Sequence, residues 1–139
     1  MKASQMAQLV YRLGWVINHT HYVQFCDYLR EMVARQRVFI IKENDEVIAL
    51  CFYFITDDYN KVYKKDTWAL VNDNQLGHQI YIDKLICSKW TKEVRVAVQD
   101  AIEEKYPHIE VGIYHRAPKD RCVKILNRRN RELQNTVSR

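Results

Sequence analysis

Three side chains in this sequence have the chemistry for proton transfer. Asp83 lies within a β-rich run over residues 78–87, and Tyr114 and His115 end a second such run. A carboxylate can accept a proton from a nucleophile, and a phenol or an imidazole can donate one to a leaving group. Tyr114 and His115 lie at the carboxyl end of their strand, where sites in α/β proteins open, and Asp83 lies at a predicted β-bulge, which often re-aims a side chain at a site. We therefore predict that these three residues are catalytic.

Each of the three also has a structural interpretation. Asp83 can pair with Lys84 or another surface base. Tyr114 can pack with its hydroxyl in water, and His115 can lie in solvent. Single residues without a surrounding motif do not discriminate between the two interpretations, which both stay open at this point.

Residues 88–95 combine a helix start with positive charge. Thr91 is a residue type that caps helices, and Lys89, Lys92 and Arg95 surround the predicted first turn. At a helix N-terminus, N–H groups without an intrahelical partner and the positive end of the helix dipole attract anions. The segment is therefore suited to a phosphate or a similar anion.

The basic excess of the chain lies near its C-terminus. From residue 116 onward there are eight Lys or Arg against two Asp or Glu, whereas the rest of the chain has 14 against 15. Such a cluster attracts the phosphates of a nucleic acid or of a nucleotide cofactor. A nucleic-acid interface would use four side chains of a predicted final helix: Arg121, Lys124, Arg128 and Arg129. The alternative is a solvated helix face.

The cysteines and histidines do not indicate a metal site. No C-x-x-C pair occurs, and His19-x-His21 has no third ligand at a useful spacing. No metal is therefore expected. The four cysteines are expected to be reduced and buried: Cys26, Cys51, Cys87 and Cys122.

Two helices are predicted at the start of the chain. Residues 3–13 place apolar side chains on one helical face and stop at Gly14, a natural C-terminal cap. A second helix follows a cap at Asn18 or Thr20. Its apolar stripe consists of Tyr22, Cys26, Leu29 and Val33, reinforced by Phe25 and Met32.

Two β-rich runs, residues 38–42 and 47–56, should supply the surface that these helices cover. They are joined by Glu43-Asn44-Asp45-Glu46, whose Asn-Asp centre tolerates the positive φ of a tight hairpin. The second run is apolar at nearly every position, as a strand covered on both faces should be. Residues 57–77 then form a long polar connection.

The next elements indicate a βαβ unit. In residues 78–87 the alternation of apolar residues slips by one at Asp83 and Lys84, which predicts a β-bulge. Thr91 then caps an amphipathic helix that ends before Pro107, and residues 109–114 alternate as its parallel strand. Pro118 suits the first turn of a last helix, with Cys122, Val123, Leu126 and Leu133 facing inward.

The composition is that of one ordered domain. Disorder would need fewer apolar residues than the 47% found here, and 139 residues suffice for a single core. We expect one domain over 1–139, with an N-terminal helix over 1–14 and a frayed tail over 131–139. The longest apolar run, 47–55, is far shorter than the ~20 residues of a membrane span, and the N-terminus lacks a signal-peptide core. We therefore expect a cytoplasmic protein with no membrane partner.

The order helix, helix, β-hairpin, bulged strand, amphipathic helix, parallel strand, helix resembles the GNAT superfamily of acyl-CoA-dependent N-acyltransferases. The resemblance covers residues 15–130 and rests on element order. It implies an α+β fold, with a mixed, mostly antiparallel sheet, a βαβ unit near the C-terminus and helices on both faces. Tyr106-Pro-His-Ile and His115-Arg116 also resemble the glycine-poor members of that superfamily in phages, which implies location in the host cytoplasm or the virion.

The resemblance further implies where a cofactor would bind. Acetyl-CoA or another acyl-CoA would pair its pantetheine arm with the backbone of Leu85, Ile86 and Cys87. The turn and helix start over residues 88–94 would hold the pyrophosphate. Cofactor binding is thereby assigned to Lys89, Thr91, Lys92, Glu93, Val94 and Arg95.

Catalytic roles follow from the same resemblance. Asp83 would take a proton from an amine acceptor, which could belong to a small molecule, a protein or a nucleic acid. Many members of the superfamily protonate the departing thiolate with a tyrosine of the last helix, where this sequence has Leu126. Tyr114 and His115 are the substitutes for that tyrosine.

Three hypotheses remain. The first is direct acyl transfer from acyl-CoA to an amine. The second is a nucleic-acid-binding module that uses the basic final helix. The third keeps the fold without the chemistry, as a phage structural or interaction protein. It is favoured by Leu126 and by the lack of glycine over residues 89–94, where the superfamily's phosphate loop has it.

Overall fold

A computed structural model describes residues 1–15, 22–57, 76–116 and 121–126, with β4 and β5 below described by their backbone. These residues form three helices and five strands. In chain order they are α1 (Ala3–Arg12), α2 (Tyr22–Ala34), β1 (Val38–Glu43), β2 (Glu46–Thr56), β3 (Gln79–Cys87), α3 (Lys92–Lys105), β4 (Val111–Arg116) and β5 (Arg121–Leu126). None of the three described helices is both long and apolar enough to span a bilayer.

The five strands form one sheet in the order β1-β2-β3-β4-β5. β1 and β2 are antiparallel, as are β4 and β5, while β3 and β4 are parallel and are connected through α3. The predicted mixed α+β class, with antiparallel pairs and a βαβ unit, is therefore confirmed.

The chain divides into two compact units. The first comprises Met1–Phe52 and Lys84–Val98, and the second comprises Tyr53–Asp83 and Gln99–Arg139. Three elements, β2, β3 and α3, contribute residues to both units. The single domain over 1–139 stays a prediction, and the units are described in turn.

In the first unit, α1 and α2 contact each other through buried side chains. Met6 and Val10 of α1 are fully buried. The buried residues of α2 are Phe25, Tyr28, Leu29 and Met32. Tyr22 is 51% exposed, so the apolar stripe of α2 is rotated away from the predicted one toward Phe25 and Tyr28. The predicted caps Asn18 and Thr20 lie outside the described residues.

The hairpin of β1 and β2 forms as its turn residues predict. Asn44 and Asp45 both have positive φ, 52° and 64°, and the pair Glu43↔Glu46 closes the turn. Short polar side chains tolerate this left-handed conformation, and a turn with positive φ at both central residues matches the twist of the strands. Every residue of β2 from Ala49 to Thr56 is buried.

A register irregularity occurs in this hairpin. Ile41 pairs with Ala49 whereas Lys42 pairs with Val47, so one residue of β2 is passed over. In β3, Ile80, Tyr81, Ile82 and Ile86 are buried, Asp83 is exposed, and Lys84, Leu85 and Cys87 are half-buried. The β-bulge predicted at Asp83 and Lys84 stays a prediction.

In the second unit, β3 and β4 form a short parallel ladder. The Glu110 N–H donates to the His78 carbonyl oxygen over 3.0 Å, and four residue pairs follow, from Gln79↔Val111 to Ile82↔Tyr114. In the same unit, the residue that follows α3, Tyr106, contacts Tyr53 of β2 through a buried pair of hydroxyls. The Tyr53 and Tyr106 oxygens are 2.7 Å apart, and the Lys105 ammonium donates to Tyr53 over 3.3 Å.

The last predicted helix is wrong over residues 121–126, which form β5. Six residue pairs join β5 to β4, from Val111↔Leu126 to Arg116↔Arg121. The helical spacing of Cys122, Val123 and Leu126 competes here with β-branched residues and with the hydrogen-bonding edge of β4. Pairing along that edge satisfies the backbone of both strands, which explains why it prevails over periodicity. Leu133 lies outside the described residues.

Gly77 should tolerate no side chain. A Cβ built on it would lie 2.6 Å from the backbone carbon and oxygen of Thr56. We expect Gly77→Ala to lower the free energy of unfolding by about 2 to 3 kcal/mol, because backbone must move to admit the methyl group. Leu76→Ala, at a side chain 81% exposed, is the control and should stay within about 0.5 kcal/mol of wild type in chemical denaturation. Equal stability of Gly77→Ala and Leu76→Ala would refute the close approach.

The buried thiol of Cys51 predicts a loss of stability at alkaline pH. Burial raises the pKa of Cys51 from 9.0 to about 12. Below pH 9 the thiol is neutral in both states, whereas above pH 9 it ionises only when unfolded, so stability falls as pH rises toward 12. The stability difference between wild type and Cys51→Ala should shift against wild type by about 1.4 kcal/mol per pH unit in that window. Parallel denaturation profiles for the two proteins from pH 9 to 11 would contradict this.

Candidate active site

The second half of β3 lines a cavity of about 550 Å³ in the first unit. Volumes of this size accommodate small organic ligands. The far wall is the end of α1 and the residues that follow it. The described lining residues are Arg12, Leu13, Gly14, Trp15, Lys84, Leu85, Ile86, Cys87 and Ser88. All three residues predicted to pair with a pantetheine arm, Leu85, Ile86 and Cys87, are therefore at a cavity.

A glycine turn at the end of α1 sets the position of Trp15. Gly14 has φ +90°, which L residues with side chains rarely adopt. The Gly14 N–H donates to the Tyr11 oxygen over 3.0 Å, and the Trp15 N–H donates to the Val10 oxygen over 3.3 Å. This pair of bonds is a Schellman motif, and it turns the chain so that Trp15 comes to the cavity.

Aromatic rings connect the cavity to the core of the first unit. The ring centroids of Trp15 and Phe25 are 4.7 Å apart in an edge-to-face arrangement, and those of Phe25 and Tyr28 are 6.1 Å apart. Tyr28 in turn lies 5.7 Å from Phe52 of β2. The Lys84 ammonium lies 5.8 Å from the Trp15 centroid and 5.4 Å from that of Tyr28. These are cation–π distances, so two ring faces hold the charged end of Lys84 in place.

The N-terminus of α3 follows β3 after four residues and is capped as predicted. The Thr91 hydroxyl accepts the Val94 N–H over 3.2 Å, and the Thr91 carbonyl accepts the Arg95 N–H over 3.1 Å. Since an α-helix offers no partner for its first N–H groups, those of Lys92 and Glu93 are directed out of its end. This geometry suits an anion.

The side chains around that helix end give a net positive charge. The exposed cations are Lys89, Lys92 and Arg95, and Glu93 is the acid of the first turn. A diphosphate would be attracted by this set. However, residues 88–91 contain no glycine, so their side chains would keep a phosphate farther from the backbone than a glycine loop would. The predicted pyrophosphate role of residues 88–94 stays a prediction.

The three predicted catalytic residues lie at neighbouring positions at the end of the β3–β4 ladder in the second unit. Tyr114 pairs with Ile82 at the end of the parallel ladder, and Asp83 and His115 are the next residue of each strand. Asp83 is exposed, whereas Ile82 is buried. In a parallel pair, opposite residues share a face, so positions 83 and 115 belong to one face of the sheet and position 114 to the other. The backbone thus places positions 83 and 115 on one face and position 114 on the opposite face, without testing the roles of the three residues.

The thiol of Cys87, which lines the cavity, is a poor nucleophile. Cys26, Cys51 and Cys87 are free, and burial raises the pKa of Cys87 above its ordinary value. A neutral thiol reacts slowly, because the thiolate is the nucleophile. Cys87 is therefore suited to contact a ligand rather than to carry a covalent intermediate. Among the described residues, no group of three or more His, Cys, Asp or Glu could hold a metal ion.

The predicted nucleic-acid interface loses its helical geometry. Arg121 and Lys124 lie on β5, and Arg128 and Arg129 lie outside the described residues. Strand positions three residues apart belong to opposite faces of a sheet. Positions 121 and 124 therefore do not form the continuous basic face that helical spacing would have given them.

Two residues at the cavity, Arg12 and Trp15, were missed in the sequence. Arg12 ends the N-terminal helix and Trp15 follows it, and both precede the start of β3 by more than 60 positions. A tryptophan directly after a helix-ending glycine was the feature that could have indicated a special role for Trp15. Nothing in the spacing of charged residues distinguishes Arg12 from other surface arginines.

No protein-family model matches the chain, and no curated protein sequence matches it either. The crystal structure of a "putative acetyltransferase" from Staphylococcus aureus Mu50 superposes with a TM-score of 0.47 and 19% sequence identity, over 82% of this chain and 75% of that one. A likeness at this level assigns no activity to the chain.

The cap of α3 should contribute measurable stability. Thr91→Ala removes the hydroxyl that accepts the Val94 N–H, and we expect it to lower the free energy of unfolding by about 1 kcal/mol. Thr91→Ser keeps a hydroxyl and should lose no more than a few tenths of that. Urea denaturation of both variants checks this. If serine and alanine prove equally destabilising, the hydroxyl is not the cap.

Proposed function

We propose that this protein is an acyl-CoA-dependent N-acyltransferase that transfers the acyl group directly to an amine. The observation that carries the proposal is the succession of three features in the first unit. An extended strand segment, Leu85 to Cys87, borders a cavity and leads within four residues into a capped helix N-terminus. A ligand with an amide-containing arm and a diphosphate would bind the strand segment through its arm and the helix N-terminus through its diphosphate.

The fit of the cofactor rests on backbone and charge. Extended backbone at Leu85, Ile86 and Cys87 can exchange hydrogen bonds with the amides of a pantetheine arm, as a strand does with a peptide. The N–H groups of Lys92 and Glu93 and the neighbouring cations would meet the diphosphate. Bound acyl-CoA supplies an activated acyl group as a thioester.

Proton transfers are assigned to the residues at the end of the parallel ladder. As the amine nitrogen bonds to the acyl carbon, Asp83 accepts the nitrogen's proton, directly or through water. As the carbon–sulfur bond breaks, Tyr114 or His115 gives a proton to the departing thiolate. Because burial raises the pKa of Cys87, its thiol is a poor nucleophile, which argues against an acyl-cysteine and supports direct transfer.

Acetyl-CoA should stabilise the protein in a thermal shift. At 100 times its dissociation constant it would add about 2.7 kcal/mol to the free energy of unfolding. The double variant Lys89→Gln, Lys92→Gln should weaken the shift, whereas Lys42→Gln, at an exposed lysine of β1, should not. Absence of a shift with any acyl-CoA would overturn the proposal and leave a fold without this chemistry, or the nucleic-acid hypothesis.

Asp83→Asn should abolish transfer while leaving binding intact. General-base catalysis contributes about 10² to 10⁴ in rate, so we expect at least a hundredfold loss of CoA release with acetyl-CoA and a panel of primary amines. The acetyl-CoA thermal shift should be unchanged. Asp45→Asn is the matched control, since it alters an exposed carboxylate in the hairpin turn. Full activity in Asp83→Asn would remove the carboxylate from the mechanism.

A further inference from the structure

The cavity beside β3 has a basic lining. Two of its described lining residues are cationic, Arg12 and Lys84, and none of the described lining residues is acidic. Its other walls are apolar, with Leu13, Leu85 and Ile86 on either side. A cavity with positive charge and apolar walls favours a ligand that has both an anionic group and an apolar body.

The charge of Lys84 is fixed at this place. Its ammonium lies against the rings of Trp15 and Tyr28, at 5.8 and 5.4 Å from their centroids. Ring faces attract a cation without occupying its N–H groups, so the ammonium can still donate hydrogen bonds to a ligand. A half-buried ammonium held in one position loses little further freedom on binding an anion.

The guanidinium of Arg12 is not required to cap α1. A basic residue in the last turn often stabilises the helix by meeting its last carbonyls. In α1 those carbonyls already accept backbone N–H groups. Leu9, Val10 and Tyr11 are bonded by Leu13, Trp15 and Gly14, respectively, at 2.9 to 3.3 Å. The Arg12 guanidinium can therefore serve another purpose at the cavity, such as binding an anion.

Trp15 provides the apolar partner. It is 37% exposed, and its edge-to-face contact with Phe25 and the Schellman motif hold it at the cavity. An exposed ring held on two sides is a preformed surface for a flat apolar group, because aromatic pairs gain from stacked or edge-to-face contact.

We infer that this cavity binds a small aromatic carboxylate, with the carboxylate at Lys84 and Arg12 and the ring at Trp15. Resting on the proposed function, the ligand is the acyl acceptor, and an amine that carries a carboxylate and an aromatic ring is an aromatic amino acid. The inference concerns the acceptor alone and is tested without acyl-CoA, so that its failure and that of the proposed function are distinguishable.

The test compares 3-phenylpropanoate with its neutral amide, 3-phenylpropanamide, by isothermal titration calorimetry on the full chain. The two probes share ring and chain and differ only in the terminal group, which is a charged carboxylate in one and a neutral amide in the other. A carboxylate that accepts charge-assisted hydrogen bonds should bind at least about tenfold more tightly than the amide. Lys84→Gln and Arg12→Gln should each reduce this preference, and Lys42→Gln should leave it unchanged. Phenylalanine should show the same preference over phenylalaninamide.

Three results would overturn the inference: no binding of either probe, equal binding of the two, or an unchanged preference in both variants. If Lys84→Gln fails to fold because the rings lose their cation, Arg12→Gln carries the test, since Arg12 is exposed at a helix end. A thermal shift with acetyl-CoA but no carboxylate preference would sink only this inference. A carboxylate preference without any acyl-CoA shift would sink only the proposed function.

Discussion

The candidate site depends on one strand, β3, which pairs with β4 for only part of its length. Four pairs join the two strands and end at Ile82 and Tyr114, while β3 continues to Cys87. Parallel pairing requires a crossover, and α3 supplies it. The strand therefore passes, in nine residues, from a paired segment through the exposed Asp83 to a segment that lines a cavity, and then to the start of a helix.

Charge and protonation complete this arrangement. Cations lie at the cavity and at the start of α3, and the first turn of that helix presents N–H groups rather than carbonyls. Burial raises the pKa of the Cys51 and Cys87 thiols, so neither is suited to act as a nucleophile. The basic cavity and the start of α3 therefore favour an anionic ligand, and the reaction we propose forms no covalent enzyme intermediate.

Local sequence determined some of these features and not others. The hairpin turn could be predicted from Asn44 and Asp45, and α3 from Thr91 and the spacing of Val94, Val98 and Ile102. The three apolar residues of α3 are buried, as that spacing predicts. In both cases neighbouring residues decide the outcome. β5 did not follow, because Arg121–Leu126 has helical spacing and becomes a strand only by pairing with β4. The cavity did not follow either, since Trp15 and Lys84 meet across a long stretch of sequence.

The most direct test of the account is a titration of ¹⁵N-labelled protein with acetyl-CoA, followed residue by residue through amide chemical shifts. The account predicts that the largest shifts occur at Leu85, Ile86 and Cys87 and at residues 89–95, with the hairpin turn at Asn44 and Asp45 unchanged. Saturable shifts confined to other parts of the chain, or none at all at millimolar acetyl-CoA, would contradict it.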